Sequence, residues 1–308
     1  MISSAEAPCK AIITGEHFVV HGAWALAAAI DRKVRVEVAR SDRLSVRSDG
    51  FRLGKSSLLP LSAVIEGMGR EFSFRPDLSI HISSAVPEGS GLGSSASTMV
   101  ALAAALSRLE SLALSVEDIV KFAMLGEKVI HGRPSGIDAN VCAMGGVILF
   151  RMGEKPKPVS LKRPARMVVV YSGKKRRTKA LIDRVSAMRE SRPGLFEGLT
   201  EAASQVSLLA ASRLKEGDTE GLGGLLTFNH AVLSAVGAST PSLDDLVDAL
   251  LRMGCLGAKL TGAGGGGCVI AVPKRGKEKR TVSELRARGF EAFEARLPVE
   301  GVRSWLRQ

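Results

Sequence analysis

The sequence predicts an α+β fold in two domains, and three observations carry that prediction. Period-two alternation marks strands at KVRVEVAR (33–40) and LSIHISSAVP (78–87), and Ala- and Leu-rich runs beyond them suit helices. The same pairing of strands with helices returns in the second half of the chain, which argues α+β and not a single repeated layer. Between the halves, KPKP (155–158) and RPAR (163–166) make a natural boundary near residue 160, giving domains 1–160 and 161–308. A chain of 308 residues is long enough for both to have cores of their own.

Taken in order, AWALAAAI (23–30) runs directly into the alternating strand KVRVEVAR, and RLSVRS (43–48) is expected to be its hairpin partner. LSIHISSAVP delivers the chain to a glycine-rich loop. Residues 95–109 follow as a helix with apolar residues on nearly all sides, hence a buried one. Ser115, with Asp118 three residues on, predicts the capped start of a helix through EDIVKFAMLGEKVI (117–130). HGRPSG (131–136) breaks that helix, and Ser135 is placed to cap a short one carrying Asp138. GGVILF (145–150) and MVVVYS (167–172) read as strands. Helices are expected around 177–190, 195–215 and 242–253. A loop, TGAGGGGC (261–268), leads into strand VIAV (269–272), and FEAFEARL (290–297) reads as a last strand.

Composition narrows the function. The four cysteines, Cys9, Cys142, Cys255 and Cys268, are far apart with no CxxC pair, which suits reduced buried thiols and excludes a disulfide frame or zinc site. No basic-then-apolar leader opens the chain, and the longest apolar run, MVALAAAL, is too short to cross a bilayer, so a soluble cytoplasmic protein is expected. Net charge is +12, with basic clusters at 162–166, 174–177 and 274–280. Such charge fits a solvated surface, the steering of a small anion, or nucleic acid; aromatics at 4% leave little to stack on bases and weigh against the last.

The segment PEGSGLGSSAST (87–98) is the first with specific chemistry. Alternating glycines followed by two serines opening an apolar helix make a nest of backbone N–H groups at a positive helix end, suited to an anion. No Lys precedes the serines, as the common phosphate loop requires, and Ser94 stands where a dinucleotide loop has Gly. The plainer alternative is a turn with Ser94 or Ser95 as helix cap. A magnesium nucleotide also needs a carboxylate. Glu127 is a candidate, although taken alone it reads first as an exposed helical Glu or an i,i+4 partner of His131. Asp138 is either the acidic member of a capping box with Ser135 or a general base taking a hydroxyl proton. Lys10, between Cys9 and an apolar run, either snorkels from a strand end or supplies the positive charge the loop lacks. His17 alone reads as a core histidine, and Glu16 beside it makes the pair notable. KLTGAGGGGC (259–268) offers almost no side-chain volume, which fits close backbone approach better than a mobile linker.

APCKAIITGEHFVVHG (7–22), PEGSGLGSSAST, GEKVIHGRPSGIDANVCAMGG (126–146) and KLTGAGGGGC together resemble the GHMP kinase superfamily, in the order its motifs occur, and most closely its mevalonate kinases. NHAVLSAVGASTPSLDDL (229–246) resembles the C-terminal helices of the same family, so the likeness runs from residue 7 to about 272. The resemblance implies a two-domain GHMP kinase fold, with an N-terminal ribosomal-protein-S5-like domain, a C-terminal ferredoxin-like domain and the active site in the cleft between them. It implies ATP as co-substrate, Mg²⁺ as cofactor, mevalonate as substrate and room for a homodimer, with no role for nucleic acid or membrane. By motif, Ser95 and Glu127 would hold the metal, and Asp138 would take the proton of the substrate hydroxyl. Lys10 would stabilise the alkoxide, and Glu16 and His17 would lie in the substrate pocket. Glu88, Gly89, Ser90, Gly91, Leu92, Gly93 and Ser94 would wrap the ATP phosphates with Ser95, buttressed by Gly264 and Gly265 within Gly262–Gly267. One departure concerns the family's usual APGK, which here reads APCK; Cys9 is harmless if its φ is negative, and that is the expectation. Galactokinases follow GEH with an acidic and aromatic pair where this chain has FVVHG, which favours the mevalonate branch.

Overall fold

The computed structural model describes residues 1–49, 55–87, 89–174 and 178–307. In chain order the first half contains β1 (Ile2–Thr14), β2 (Ala25–Arg40), β3 (Ser45–Asp49), α1 (Lys55–Phe72), β4 (Leu78–Ser84), α2 (Ser94–Leu109), α3 (Val116–His131), α4 (Ile137–Met144), β5 (Val147–Phe150) and β6 (Lys157–Pro158). The second contains β7 (Ala165–Tyr171), α5 (Thr178–Ser191), α6 (Pro193–Glu216), α7 (Thr219–Ala235), α8 (Pro241–Arg252), β8 (Gly257–Thr261), β9 (Cys268–Val272), α9 (Glu278–Ala287), β10 (Glu291–Leu297) and β11 (Arg303–Arg307).

β2 organises the first sheet. Its sixteen residues pair with β1 along nearly their whole length, with β5 at Ala25–Ala28 and with β4 at Val34–Arg40. The sheet runs β11-β1-β2-β4-β3, with β5 on β2 and β6 on β5. Two expectations change here. RLSVRS is a strand, but β3 pairs in parallel with β4, which lies between it and β2, so it is not the hairpin partner of KVRVEVAR. Alternation specifies that a strand exists and which face is buried; it does not name the neighbour. FEAFEARL is β10, yet β11 follows it and returns to the first sheet antiparallel to β1.

α2 lies against β1 and β2 and, apart from the half-buried Thr98, is buried from Ala96 to Ser107, as its all-round apolar sequence requires. α3 starts at Ser115 with the reciprocal capping box: Ser115 Oγ accepts from the Asp118 N–H while the Asp118 carboxylate accepts from the Ser115 N–H. The second sheet, β10-β7-β9-β8, is antiparallel throughout. Both of its faces are covered, and β7 makes this visible. Met167 and Val169 join the core that continues from the first half, whereas Val168 and Val170 face a second core with Leu243, Leu246 and Leu250 of α8. A strand buried on both faces has no polar side, which is why MVVVY reads as a continuous apolar run. Among the described residues no helix is long and apolar enough to cross a membrane, and all four cysteines are buried and outside any disulfide.

Candidate active site

The glycine loop is shaped by its backbone. Gly89, Gly91 and Gly93 have φ of +75°, +90° and +75°, the left-handed region that residues with a Cβ avoid. Gly93 itself is the N-cap of α2 and no side chain caps the helix, so the capping reading of Ser94 and Ser95 is not what the molecule does. Both serines stand in the first turn of α2, where orphan N–H groups gather, and Ser95 is free to donate its hydroxyl to Glu127 Oε1. Ser90 Oγ is buried with no hydrogen-bond partner among the described residues. Glu88, expected to help wrap the phosphates, lies outside the described residues.

Lys10 supplies the charge the loop lacks. Its main chain donates to Leu92 O at 2.8 Å, and its Nζ donates to Gly91 O at 3.2 Å, so strand β1 is strapped to the loop. A Cβ on Gly93 would come within 2.6 Å of Lys10 Cγ and 2.9 Å of Cε; only glycine lets the lysine stem pass. The side chain is 3% exposed and does not snorkel to water; instead Nζ lies 3.1 Å from Asp138 Oδ2. Cys9 is an extended residue of β1 and is absent from the positive-φ positions, so it sits in place of Gly without backbone strain. Burial pushes its thiol up to about 11.

Asp138 is in the first turn of α4, but Ser135 does not cap that helix. The N-cap is Gly136 at φ +90°, and Ser135 Oγ only accepts a long 3.4 Å bond from the Ile137 N–H. The S-x-x-D box does not form, leaving the carboxylate to face Lys10. Glu127, read as exposed in one alternative, is 3% exposed. Burial raises its carboxyl to about 7, and the neighbouring Asp138 charge adds to this, while the Ser95 hydrogen bond and Lys10 oppose it. His131 one turn on has its Nε2 3.7 Å from Glu127 Oε2, so the i,i+4 relation is real as well.

Glu16 and His17 follow the end of β1. His17 has φ +61° and its Nε2 is 2.9 Å from Ala263 O in the second glycine loop. Glu16, expected among the substrate contacts, has both oxygens engaged within the protein: Lys259 Nζ ion-pairs with Oε1 and Asn229 Nδ2 donates to Oε2 at 3.3 Å. Neither Lys259 nor Asn229 was singled out from the sequence. The one available signal was a lysine inside the apolar strand GAKLT, whose partner is 243 positions away. In the loop after β8, Gly264, Gly265, Gly266 and Gly267 all have positive φ, and a Cβ on Gly264 would fall 2.0 Å from Ala238 O. Close backbone approach is therefore what the small residues serve.

Lys10, Glu16, His17, Glu127 and Asp138 line one cleft of about 1360 Å³ between the two halves, with Gly262 and Ala263 of the second glycine loop; the first glycine loop adjoins it through Lys10, whose Nζ donates to Gly91 O. Arg133, Arg151 and Arg189 line the cleft too, which brings part of the positive charge to it. A carboxylate paired with a buried ammonium beside a helix N-terminus and its glycine loop is the arrangement that phosphoryl transfer between small molecules needs.

The chain belongs to the GHMP kinase family. Residues 60–146 match the GHMP kinases N terminal domain, and residues 210–291 match the GHMP kinases C terminal family. It is similar to the mevalonate kinase of Aeropyrum pernix, 36% identical with 97% of each chain covered. It is likewise similar to that of Archaeoglobus fulgidus, 37% identical over 89% of this chain and 94% of the relative. Among solved structures it matches the L. major mevalonate kinase in complex with R-mevalonate, at a TM-score of 0.83 and 27% identity, with 96% of each chain covered. The Methanococcus jannaschii mevalonate kinase matches at a TM-score of 0.82 and 30% identity, over 97% of this chain and 98% of that one.

Proposed function

We propose that this chain transfers the γ-phosphoryl group of ATP to the primary hydroxyl of (R)-mevalonate, giving 5-phosphomevalonate and ADP. The observation that carries the reading is the 3.1 Å Lys10–Asp138 pair, which lines the cleft while Lys10 is hydrogen-bonded to the glycine loop at the N-terminus of α2. Near-full-length similarity to proteins named mevalonate kinase supports the substrate.

Asp138 Oδ2 accepts the hydroxyl proton as the oxygen attacks the γ-phosphorus. The new O–P bond forms as the bond to the β-phosphate oxygen breaks, and that electron pair leaves on ADP. Lys10, already within reach of Asp138, stabilises the developing alkoxide. The loop from Gly89 to Ser95 holds the phosphates through backbone N–H groups, with the buried Ser90 hydroxyl as one further donor. Gly264 and Gly265 support them from the second half, and His17 faces the acceptor side.

The donors fit Mg²⁺: Ser95 and Glu127 offer adjacent oxygens, as a hard cation requires. No three His, Cys, Asp or Glu side chains cluster to hold a metal among the described residues, so waters and phosphate oxygens would complete the shell. When bound, the ion neutralises charge on the polyphosphate. We place the protein in the cytoplasm and take residues 1–160 and 161–308 as its two units, with β11 returning to the first. A coupled ADP assay with ATP, Mg²⁺ and mevalonate tests the reading. Turnover with mevalonate is expected; turnover with galactose or homoserine in its place would overturn the substrate.

A further inference from the structure

We infer that Lys259 is a positioning residue for this reaction: through its buried ion pair with Glu16 it locks the turn that presents His17 to the acceptor side of the cleft. The inference rests on the reading above for what the cleft binds, and on geometry for the lock itself.

Lys259 is 0% exposed in β8 and is not among the residues lining the cleft, whereas Glu16 and His17 are. It therefore stands behind the wall. Its Nζ reaches two acceptors, Glu16 Oε1 and Leu260 O, so two of its three protons have fixed directions. Asn229 of α7 completes the arrangement by donating to Glu16 Oε2 and accepting from the Gly15 N–H at 3.4 Å. The turn so held is one that needs holding. Gly15 has φ +93°, where a Cβ would fall 2.6 Å from Ala25 Cα, and His17 has φ +61°, a conformation a non-glycine residue keeps only where its surroundings over-determine it. Burial alone pulls the Lys259 ammonium toward its neutral form, and the Glu16 carboxylate opposes this. Each charge is thus tolerable because the other is present, and removing one leaves the other buried and unpaired.

The test uses the full chain as wild type, Lys259→Met, Glu16→Gln, the double variant and Asn229→Ala. The double variant removes both charges, and Asn229→Ala loosens the turn more gently, so a folded variant is in hand if either charge variant fails to fold. A lock predicts that KM for mevalonate rises about tenfold or more in each folded single variant and that the double variant is no worse than the worse single. KM for ATP should stay within about twofold. Amide hydrogen exchange should quicken at residues 14–18 and 262–265 and not in α2. Additive losses would mean that Glu16 meets the acceptor directly, and an unchanged KM with faster exchange or lower melting would reduce Lys259 to a structural role; either overturns the inference. If the wild type turns over no mevalonate, the kinase reading fails, and the exchange pattern alone still decides whether the lock exists.

Discussion

Asp138 and Glu127 are two carboxylates in one cleft with different surroundings, and their environments predict different behaviour. Asp138 is about one-third exposed and faces Lys10. Asp138→Asn should lower kcat by roughly 10²–10⁴ in the coupled ADP assay, with little change in melting temperature. Glu127 is buried, and its carboxyl is raised from 4.5 to about 7. The folded state therefore binds more protons than the unfolded state between those values, and stability contributed by this group falls as pH rises through that window. In metal-free protein with chelator, the cost above pH 7 is on the order of 3 kcal/mol. Glu127→Gln removes that cost, so urea unfolding should find the variant more stable than wild type at pH 8 and nearly equal at pH 4.5, while Mg²⁺-dependent turnover is lost. Short motifs marked Lys10, Ser95, Glu127 and Asp138 as candidates, each with a plainer alternative that only the pairings Lys10–Asp138 and Ser95–Glu127 set aside. Lys259 and Asn229 were not, because a lysine in an apolar strand acquires its role only from a partner distant in sequence.

At the level of elements, local signals read well and pairings read poorly. The α3 capping box is written within four residues and forms as expected. The β3 strand was visible, but its neighbour was not, since β4 reaches it only after α1 intervenes. α9 carries EKRTVSELRA, with too much charge to announce a packed helix, yet it buries Val282 and Leu285. β11, RSWLR, is short and has no clear alternation, although Pro298 and Gly301 precede it. The start of α2 shows how much one glycine can decide. Gly93→Ala would set a methyl 2.6 Å from Lys10 Cγ and hold alanine at φ +75°. Gly89→Ala, at the same φ, meets nothing within 4 Å. Both should cost about 1–2 kcal/mol in the backbone by thermal unfolding. Only Gly93→Ala should also lower kcat by displacing Lys10.

Across the whole molecule, the two-part architecture was legible from the pairing of strands with helices in each half, but the way the parts close on each other was not. The end of β1 is stitched to the second half by Thr261, whose Oγ1 accepts from the Ile12 N–H at 3.0 Å and donates to Ile12 O at 2.9 Å. Thr261→Val keeps the shape and deletes both bonds in a fully buried contact. It should lower stability by about 1–3 kcal/mol in urea unfolding and raise exchange at the Ile12 amide. β11 closes the molecule in another way, since Ile2 faces Arg307 across the β1–β11 pair. In the order in which a ribosome delivers the chain, β1 emerges first and waits for its outer neighbour until roughly 300 residues more have been made, an interval of about 15–60 s. For that time one edge of the first sheet is open to any other strand in the cell, so the protein's exposure to misassembly is set by translation speed and by whatever shields β1 meanwhile.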